Sequence, residues 1–155
     1  MIIRDMADGE AGAVADMVHS LARDLSLGVV PKITAATLSE SRDLLSVIVA
    51  EEKGALLGAC LSLMTFSTFR AAKGLYVVDL FVAAEARNRN VGLNLLKSAA
   101  RSAWRRGATF IKLEVDVKNT AGQRFYERIG FLNKPEDRLF VLEHDELKFF
   151  VKEMT

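Results

Sequence analysis

Apolar residues recur with two different periods along this chain, and the order of those blocks predicts its elements. Leu75 to Val82 is almost wholly apolar and rich in β-branched and aromatic side chains, which predicts a strand buried on both faces; Asp79 is its one charge. A polar loop, Ala83 to Asn90, follows it. From Val91 to Arg106 the period changes, with Leu95, Leu96, Ala99 and Ala103 at helical spacing. Upstream, Met1 to Arg4 reads as a short edge strand. Asp8 is placed to cap a helix whose apolar stripe is Val14, Met17, Val18, Leu21 and Leu25, with His19 off the stripe and Gly28 and Pro31 breaking the helix. Ile33 to Leu45 reads as a second helix, Ser46 to Glu52 as a strand, Glu51 to Gly54 as a hairpin turn, and Ala55 to Phe66 as a long strand. The loop Phe66 to Gly74 leads back to the Leu75 strand, so these three strands form an antiparallel meander.

Thr109 to Val117 alternates apolar and polar residues in its second half, as a strand with one covered face does. A strand, a helix and a strand in succession make a crossover unit, which sets this strand parallel to the Leu75 strand and brings both carboxyl ends to one rim. Ligands bind at such rims in open α/β sheets. Asn119, Thr120 and Gln123 suit the start of a helix through Ile129, closed by Gly130. Arg138 to Leu142 reads as a late strand. Leu147, Phe150, Val151 and Met154 share one helical face behind Asp145, so the chain is expected to end on a helix. The expected fold is a single α/β (α+β) domain over residues 1–155, with a mixed sheet of about six to seven strands, helices on both faces and a C-terminal helix.

Composition narrows the chemistry. A net charge of +1 argues against a general nucleic-acid surface. No apolar run is long enough to span a membrane, and the acidic start Met1 to Asp8 does not suit a signal peptide, so a soluble, cytoplasmic protein is expected. The one cysteine, Cys60, lies in an apolar run and reads as a small buried hydrophobe, and one cysteine with two histidines does not make the usual zinc site. Neither metal, nucleic acid nor membrane is an expected partner. Arg87 and Arg89 stand just before a helix start. Unpaired N–H groups there, the positive end of the helix dipole and the guanidinium groups together suit phosphate oxygens.

The run Asp79-Leu80-Phe81-Val82 followed by Glu85, Arg87 and Gly92 resembles the core motif of the GNAT superfamily of acetyl-CoA-dependent N-acetyltransferases, in which a strand leads into an R/Q-x-x-G-x-G/A loop around the CoA pyrophosphate. Arg87 takes the first motif position and Gly92 the last, while Asn90 replaces the middle glycine. Asn tolerates positive φ better than other residues with a side chain, so the loop is expected to keep its shape. A second stretch, Asn119 to Phe131, is similar to the superfamily's N-x-x-A-x-x-F-Y-x-x-x-G-F, with Gly122 in place of alanine. Phe66 to Val82 and the tail from Asp137 look like the spermidine/spermine (diamine) acetyltransferase branch, although Val78 stands where that branch carries a glutamate associated with deprotonating the amine.

The resemblance implies acetyl-CoA as cosubstrate and a small-molecule primary amine (a polyamine, a thialysine-like amino acid or an aminoglycoside) as acceptor. It implies that Arg87, Asn88, Arg89, Asn90, Val91 and Gly92 hold the pyrophosphate, that the backbone of Leu80, Phe81 and Val82 pairs with the pantetheine arm, and that Asn119 and Arg124 also reach the cofactor. It makes Tyr126 the general acid. Acetylation needs a neutral amine, and an alkyl amine has a pKa of about 10, so a base or a water chain must take its proton. Asp79 is one choice; it would equally hold a substrate ammonium or bond backbone at a bulge. Glu114 and Asp116 are others, although solvent-facing alternation also explains them. Tyr76 reads as packing, and Trp104, His19 and His144 offer no specific chemistry. The branch, and a tail from Leu139 to Met154 with more apolar residues than a monomer needs to bury, imply a homodimer. A non-catalytic module binding CoA or another phosphorylated ligand is the alternative reading.

Overall fold

The computed structural model describes residues 1–152. They form two compact units, residues 1–118 and the residues from Asn119 on. In the first unit five strands lie in the order β1-β2-β3-β4-β5: β1 (Ile2–Asp5), β2 (Ser46–Glu52), β3 (Ala55–Ser67), β4 (Ala72–Val82) and β5 (Ala108–Lys112). The first three junctions are antiparallel and the last is parallel. The expected edge strand, meander and crossover are therefore all present, in a mixed five-stranded sheet.

Helices cover both faces of this sheet. Helix α1 (Ala11–Asp24) and the short α2 (Ala35–Glu40) bury Val14, Met17 and Leu38 against Val47, Val49, Ala59, Leu61 and Phe81. On the opposite face lies α3 (Val91–Arg105), whose Leu95, Leu96, Ala99 and Ala103 are all buried, as their spacing predicted. The sheet passes close under this helix at Gly58: a β-carbon there would stand 3.2 Å from Leu95 Cδ1 and would meet the Phe81 carbonyl oxygen. The tight β2–β3 turn falls at Lys53 and Gly54, both at positive φ as a two-residue hairpin requires.

Several expectations are corrected. β4 is not buried on both faces: Tyr76, Asp79, Leu80 and Val82 are only partly buried and Val78 is 42% exposed. Asp8 does not cap α1. A turn at Asp8 and Gly9 delays the helix, and the Glu10 carboxylate instead accepts from the Ala7 N–H at 2.8 Å and from Arg4, which holds its pKa down at about 2. The second helix ends at Glu40, where the Ser41 hydroxyl donates to the Thr37 carbonyl at 2.7 Å and competes with the backbone ladder. β5 stops at Lys112, where its ladder with β4 ends.

In the second unit, α4 (Thr120–Arg128) and α5 (His144–Lys152) are the regular elements among the described residues. Arg138 to Leu142 has no regular structure, so the sheet has five described strands rather than six to seven. A strand exists only through its ladder partners, and none is recorded for this run. The expected C-terminal helix is α5, with Leu147, Phe150 and Val151 within it; Met154 lies outside the described residues.

Candidate active site

The ladder between β4 and β5 ends at the pair Tyr76–Lys112, while β4 runs on to Val82 beside β3 alone. Among the described residues, the other edge of β4 has no strand ladder from Val77 to Val82. N–H and C=O groups on such an edge can pair with an extended ligand, although the Val82 carbonyl already accepts from Arg87 Nε. That is the backbone expected to meet a pantetheine arm at Leu80, Phe81 and Val82; the Phe81 ring itself belongs to the core.

β4 leads through a single 3₁₀ turn (Ala84–Ala86) into the loop before α3. Asn88 and Asn90 both adopt the left-handed conformation, at φ 61° and 60°, a region that glycine enters freely and asparagine tolerates. Asn90 is the N-cap of α3 and provides no side-chain cap, which leaves the first-turn N–H groups of Val91, Gly92 and Leu93 for another acceptor. Val91 anchors the turn with its buried side chain. The loop thus has the polar groups a pyrophosphate requires.

The two arginines of this loop already hold carboxylates. Arg87 donates through Nε to the Val82 carbonyl at 3.3 Å and through Nη2 to Asp24 at 2.6 Å. Arg89 Nη2 donates to both oxygens of Glu52, at 2.8 and 2.9 Å, and this hydrogen bonding holds the Glu52 carboxyl below its usual range. Sequence reasoning missed both partners. They lie 63 and 37 residues away from their arginines, and no local pattern marks them.

Asp79 stands at an irregularity in β4. Leu61 pairs with Asp79 but its neighbour Ser62 pairs with Val77, so Val78 is the extra residue of a β-bulge. Burial raises the Asp79 pKa, and no hydrogen-bond or ion-pair partner for it is recorded among the described residues. Of its three readings, the bond to backbone at the bulge is thus not found. Glu114 and Asp116 lie beyond the end of β5 and are exposed. Cys60 is fully buried; burial first, with the Asp79 charge adding to it, pushes its thiol up to about 12, which excludes a thiolate nucleophile near neutral pH.

The second unit carries Asn119, Arg124 and Tyr126 on or next to α4. Asn119 caps it as expected, its Oδ1 accepting from Gly122 N at 2.9 Å; Arg124 is exposed. The helix ends in a Schellman motif: Gly130 N donates to the Glu127 carbonyl, Phe131 N donates to the Tyr126 carbonyl, and Gly130 has φ 105°. Phe131 packs edge-on against Tyr126 with ring centroids 5.4 Å apart, the apolar contact that accompanies such a motif. Tyr126 and the Gly130-Phe131 pair therefore belong to one helix ending. A groove of about 510 Å³ beside Trp104 and Phe110 is lined by none of the candidate residues.

Comparison with known proteins places this arrangement. Residues 16–131 match the acetyltransferase (GNAT) family. The chain is 33% identical over 96 residues to the uncharacterized N-acetyltransferase YhfO of Bacillus subtilis (strain 168), the match covering 61% of this chain and 62% of that protein, less than two thirds of its length. Among solved structures, an integron cassette protein from the mobile metagenome of V. cholerae superposes with a TM-score of 0.79 at 21% identity, over 97% of each chain. A probable acetyltransferase superposes with a TM-score of 0.76 at 25% identity, covering 93% of this chain and 98% of its own.

Proposed function

Because the chain belongs to the acetyltransferase (GNAT) family, we propose that residues 1–155 act as one N-acetyltransferase domain, transferring acetyl from acetyl-CoA to a primary amine of a small molecule by direct attack in a ternary complex. The observation that carries this reading is the parting of β4 from β5 directly ahead of an uncapped helix N-terminus flanked by Arg87 and Arg89. Such a junction offers strand edge to an amide-bearing arm and N–H groups with guanidinium groups to a diphosphate. Acetyl-CoA supplies an activated acetyl group. The chain must then bind the amine, remove its proton and return a proton to the thiolate. In this reading Asp79, or Glu114 beyond β5, takes the ammonium proton directly or through water, and the Tyr126 hydroxyl protonates the departing sulfur.

The acceptors favoured are polyamines, thialysine-like amino acids and aminoglycosides, the first on the likeness of Phe66 to Val82 to the diamine acetyltransferase branch. Val78 occupies the position of that branch's glutamate and is here the bulge residue, so the base is assigned to a neighbour. A homodimer is part of the proposal. Its support is the exposed run Leu139, Phe140, Val141 and Leu142, with Phe140 90% exposed.

Calorimetric titration with acetyl-CoA, followed by a screen of small amines for release of CoA thiol, tests the reading. Binding together with turnover on any small amine is the expected result. No binding up to millimolar acetyl-CoA overturns it, and tight binding without turnover supports the rival reading, a non-catalytic module for CoA or another phosphorylated ligand. Light scattering at micromolar concentration tests the dimer, which a monomer mass would remove.

A further inference from the structure

Lys112 closes the β4–β5 ladder. Its register partner is Tyr76, and its Nζ lies 5.8 Å from the centre of the tyrosine ring, so this exposed side chain keeps its amine beside β4. The bulge at Val78 decides what else shares that face. Leu61 lies opposite Asp79 and Leu63 opposite Tyr76, and alternate residues of the regular β3 point to one side. Tyr76 and Asp79 therefore stand on one face, the one that Leu61 and Phe81 present to α1 and α2. In an unbulged strand, residues three apart would point to opposite faces. Lys112, lying against the Tyr76 ring, thus belongs to the face of Asp79.

The order of groups along β4 gives the direction of a bound thioester. The loop with Arg87 and Arg89 follows Val82, so an arm anchored in that loop and laid along Val82 to Leu80 runs back towards Asp79. It lies beside the stretch of β4 that has no described ladder with β5, and its acyl end is aimed at the last pair of that ladder. The stretch from Tyr76 to Leu80, with the bulge discounted, is about 10 Å at about 3.3 Å per residue. An extended lysine side chain spans about 6 Å, so the Lys112 amine reaches well into it.

We propose that the chain acetylates its own Lys112, an activity separate from transfer to a free amine. The Nζ ammonium gives one proton to the Asp79 carboxylate, directly or through water, and the neutral amine then attacks the thioester carbonyl carbon. The N–C bond forms. The C–S bond breaks with its electron pair on sulfur, and a second amine proton ends on that sulfur, so that CoA leaves as its thiol and Lys112 becomes an uncharged amide. This rests on the reading above that acetyl-CoA lies along β4 where it parts from β5. Sequence alone did not mark Lys112, because its place beside Tyr76 and Asp79 is set by the β4–β5 register and the bulge.

The test has two arms. In the first, the full chain is incubated with acetyl-CoA, and intact mass and peptide mapping follow the label. Lys53, Lys73 and Lys97 are also exposed and serve as controls within the same chain. Lys112 is expected to gain one acetyl group about tenfold or more faster than any of them, with a rate constant that dilution of the protein leaves unchanged, since amine and thioester share one site. Lys112→Arg should remove the fast phase and keep the melting temperature. Labelling of Lys112 no faster than the controls, or a rate constant that falls on dilution, overturns the proposal.

The second arm needs no acetyl transfer. Cys60 is fully buried, so Lys112→Cys carries one accessible thiol. Its thiolate should attack CoA disulfide, releasing one CoA thiol and leaving a mixed disulfide, about tenfold or more faster than that of Lys73→Cys once each rate is divided by that for a small neutral disulfide. Equal ratios overturn the proposal, because the sulfur end of CoA then does not lie at Lys112. The function is read separately. Turnover of an added amine with Lys112 unlabelled overturns self-acetylation and keeps the transferase, whereas fast labelling of Lys112 with no added amine turned over keeps self-acetylation and removes the small-molecule acceptor.

Discussion

Arg87 Nη2 lies 2.6 Å from Asp24 Oδ2, so the end of α1 occupies a guanidinium of the loop before α3, the proposed phosphate site. Both side chains are nearly half exposed, and exposed pairs of this kind contribute little to stability. A diphosphate must share or displace the carboxylate. Asp24→Asn is therefore expected to tighten acetyl-CoA binding about two- to fivefold, whereas Arg87→Ala weakens it about tenfold or more. Calorimetry on both variants checks this. Weaker binding by Asp24→Asn would mean that Asp24 aims Arg87 rather than competing for it.

Asn90 holds φ 60° and ψ 17° at the N-cap of α3, a conformation that glycine adopts freely and β-branched residues strongly resist. Asn90→Gly should leave melting temperature and acetyl-CoA affinity close to the parent values. Asn90→Val should cost about 1–2 kcal/mol and loosen the cofactor loop. Thermal unfolding of the pair separates backbone strain from any contact made by the Asn90 side chain, because only the latter would make the glycine variant bind poorly.

What could be read from the sequence is what short stretches of chain decide for themselves. The stripe Leu95, Leu96, Ala99 and Ala103, the left-handed Asn90 and the Gly130 helix ending each depend on residues within about one or two turns, and all were legible. The Val78 bulge, the exposure of Val78 and the Arg87–Asp24 and Arg89–Glu52 pairs depend on partners far along the chain, so no local pattern announces them. Arg138 to Leu142 shows the same limit from the other side. Its composition suits a strand, but composition does not provide a ladder partner.

Asp79 combines burial with no recorded hydrogen-bond partner, and burial raises its pKa above the ordinary 3.8. A carboxyl raised in the folded state supports folding fully below its unfolded pKa, and that support is lost as pH rises through the folded value. Asp79→Asn should therefore be more stable than the parent at neutral pH, with the advantage shrinking as pH falls towards the ordinary carboxyl range. Turnover should fall in the same variant if the carboxylate receives the amine. Unfolding curves at several pH values, with amine kinetics alongside, check both halves; equal stability at neutral pH would show that the burial costs nothing.

Tyr126 contributes its ring to the α4 ending through Phe131, and Tyr126→Phe retains that ring. As general acid, its hydroxyl should be worth about a hundredfold to ten-thousandfold in turnover, with acetyl-CoA affinity kept. A hydroxyl with only a structural role predicts about 1 kcal/mol of lost stability and almost unchanged turnover. With chemistry shown to limit the rate, a loss below about tenfold would remove Tyr126 from the mechanism and assign the proton to solvent.

Cys60 makes a prediction at the alkaline end. Its ordinary thiol value of 9.0 rises to about 12 in the folded chain, chiefly through burial. The unfolded chain therefore loses this proton first. Stability attributable to the thiol is complete below pH 9 and is lost as pH climbs towards about 12. Cys60→Ala should cost about 1 kcal/mol at neutral pH for the small void it leaves, yet lose stability less steeply than the parent above pH 9. Denaturant unfolding of both proteins across that range isolates the thiol, since lysines and tyrosines titrate alike in the two. Parallel curves would mean that Cys60 ionises as easily folded as unfolded. Rapid alkylation of the native chain near pH 7 would contradict the burial directly.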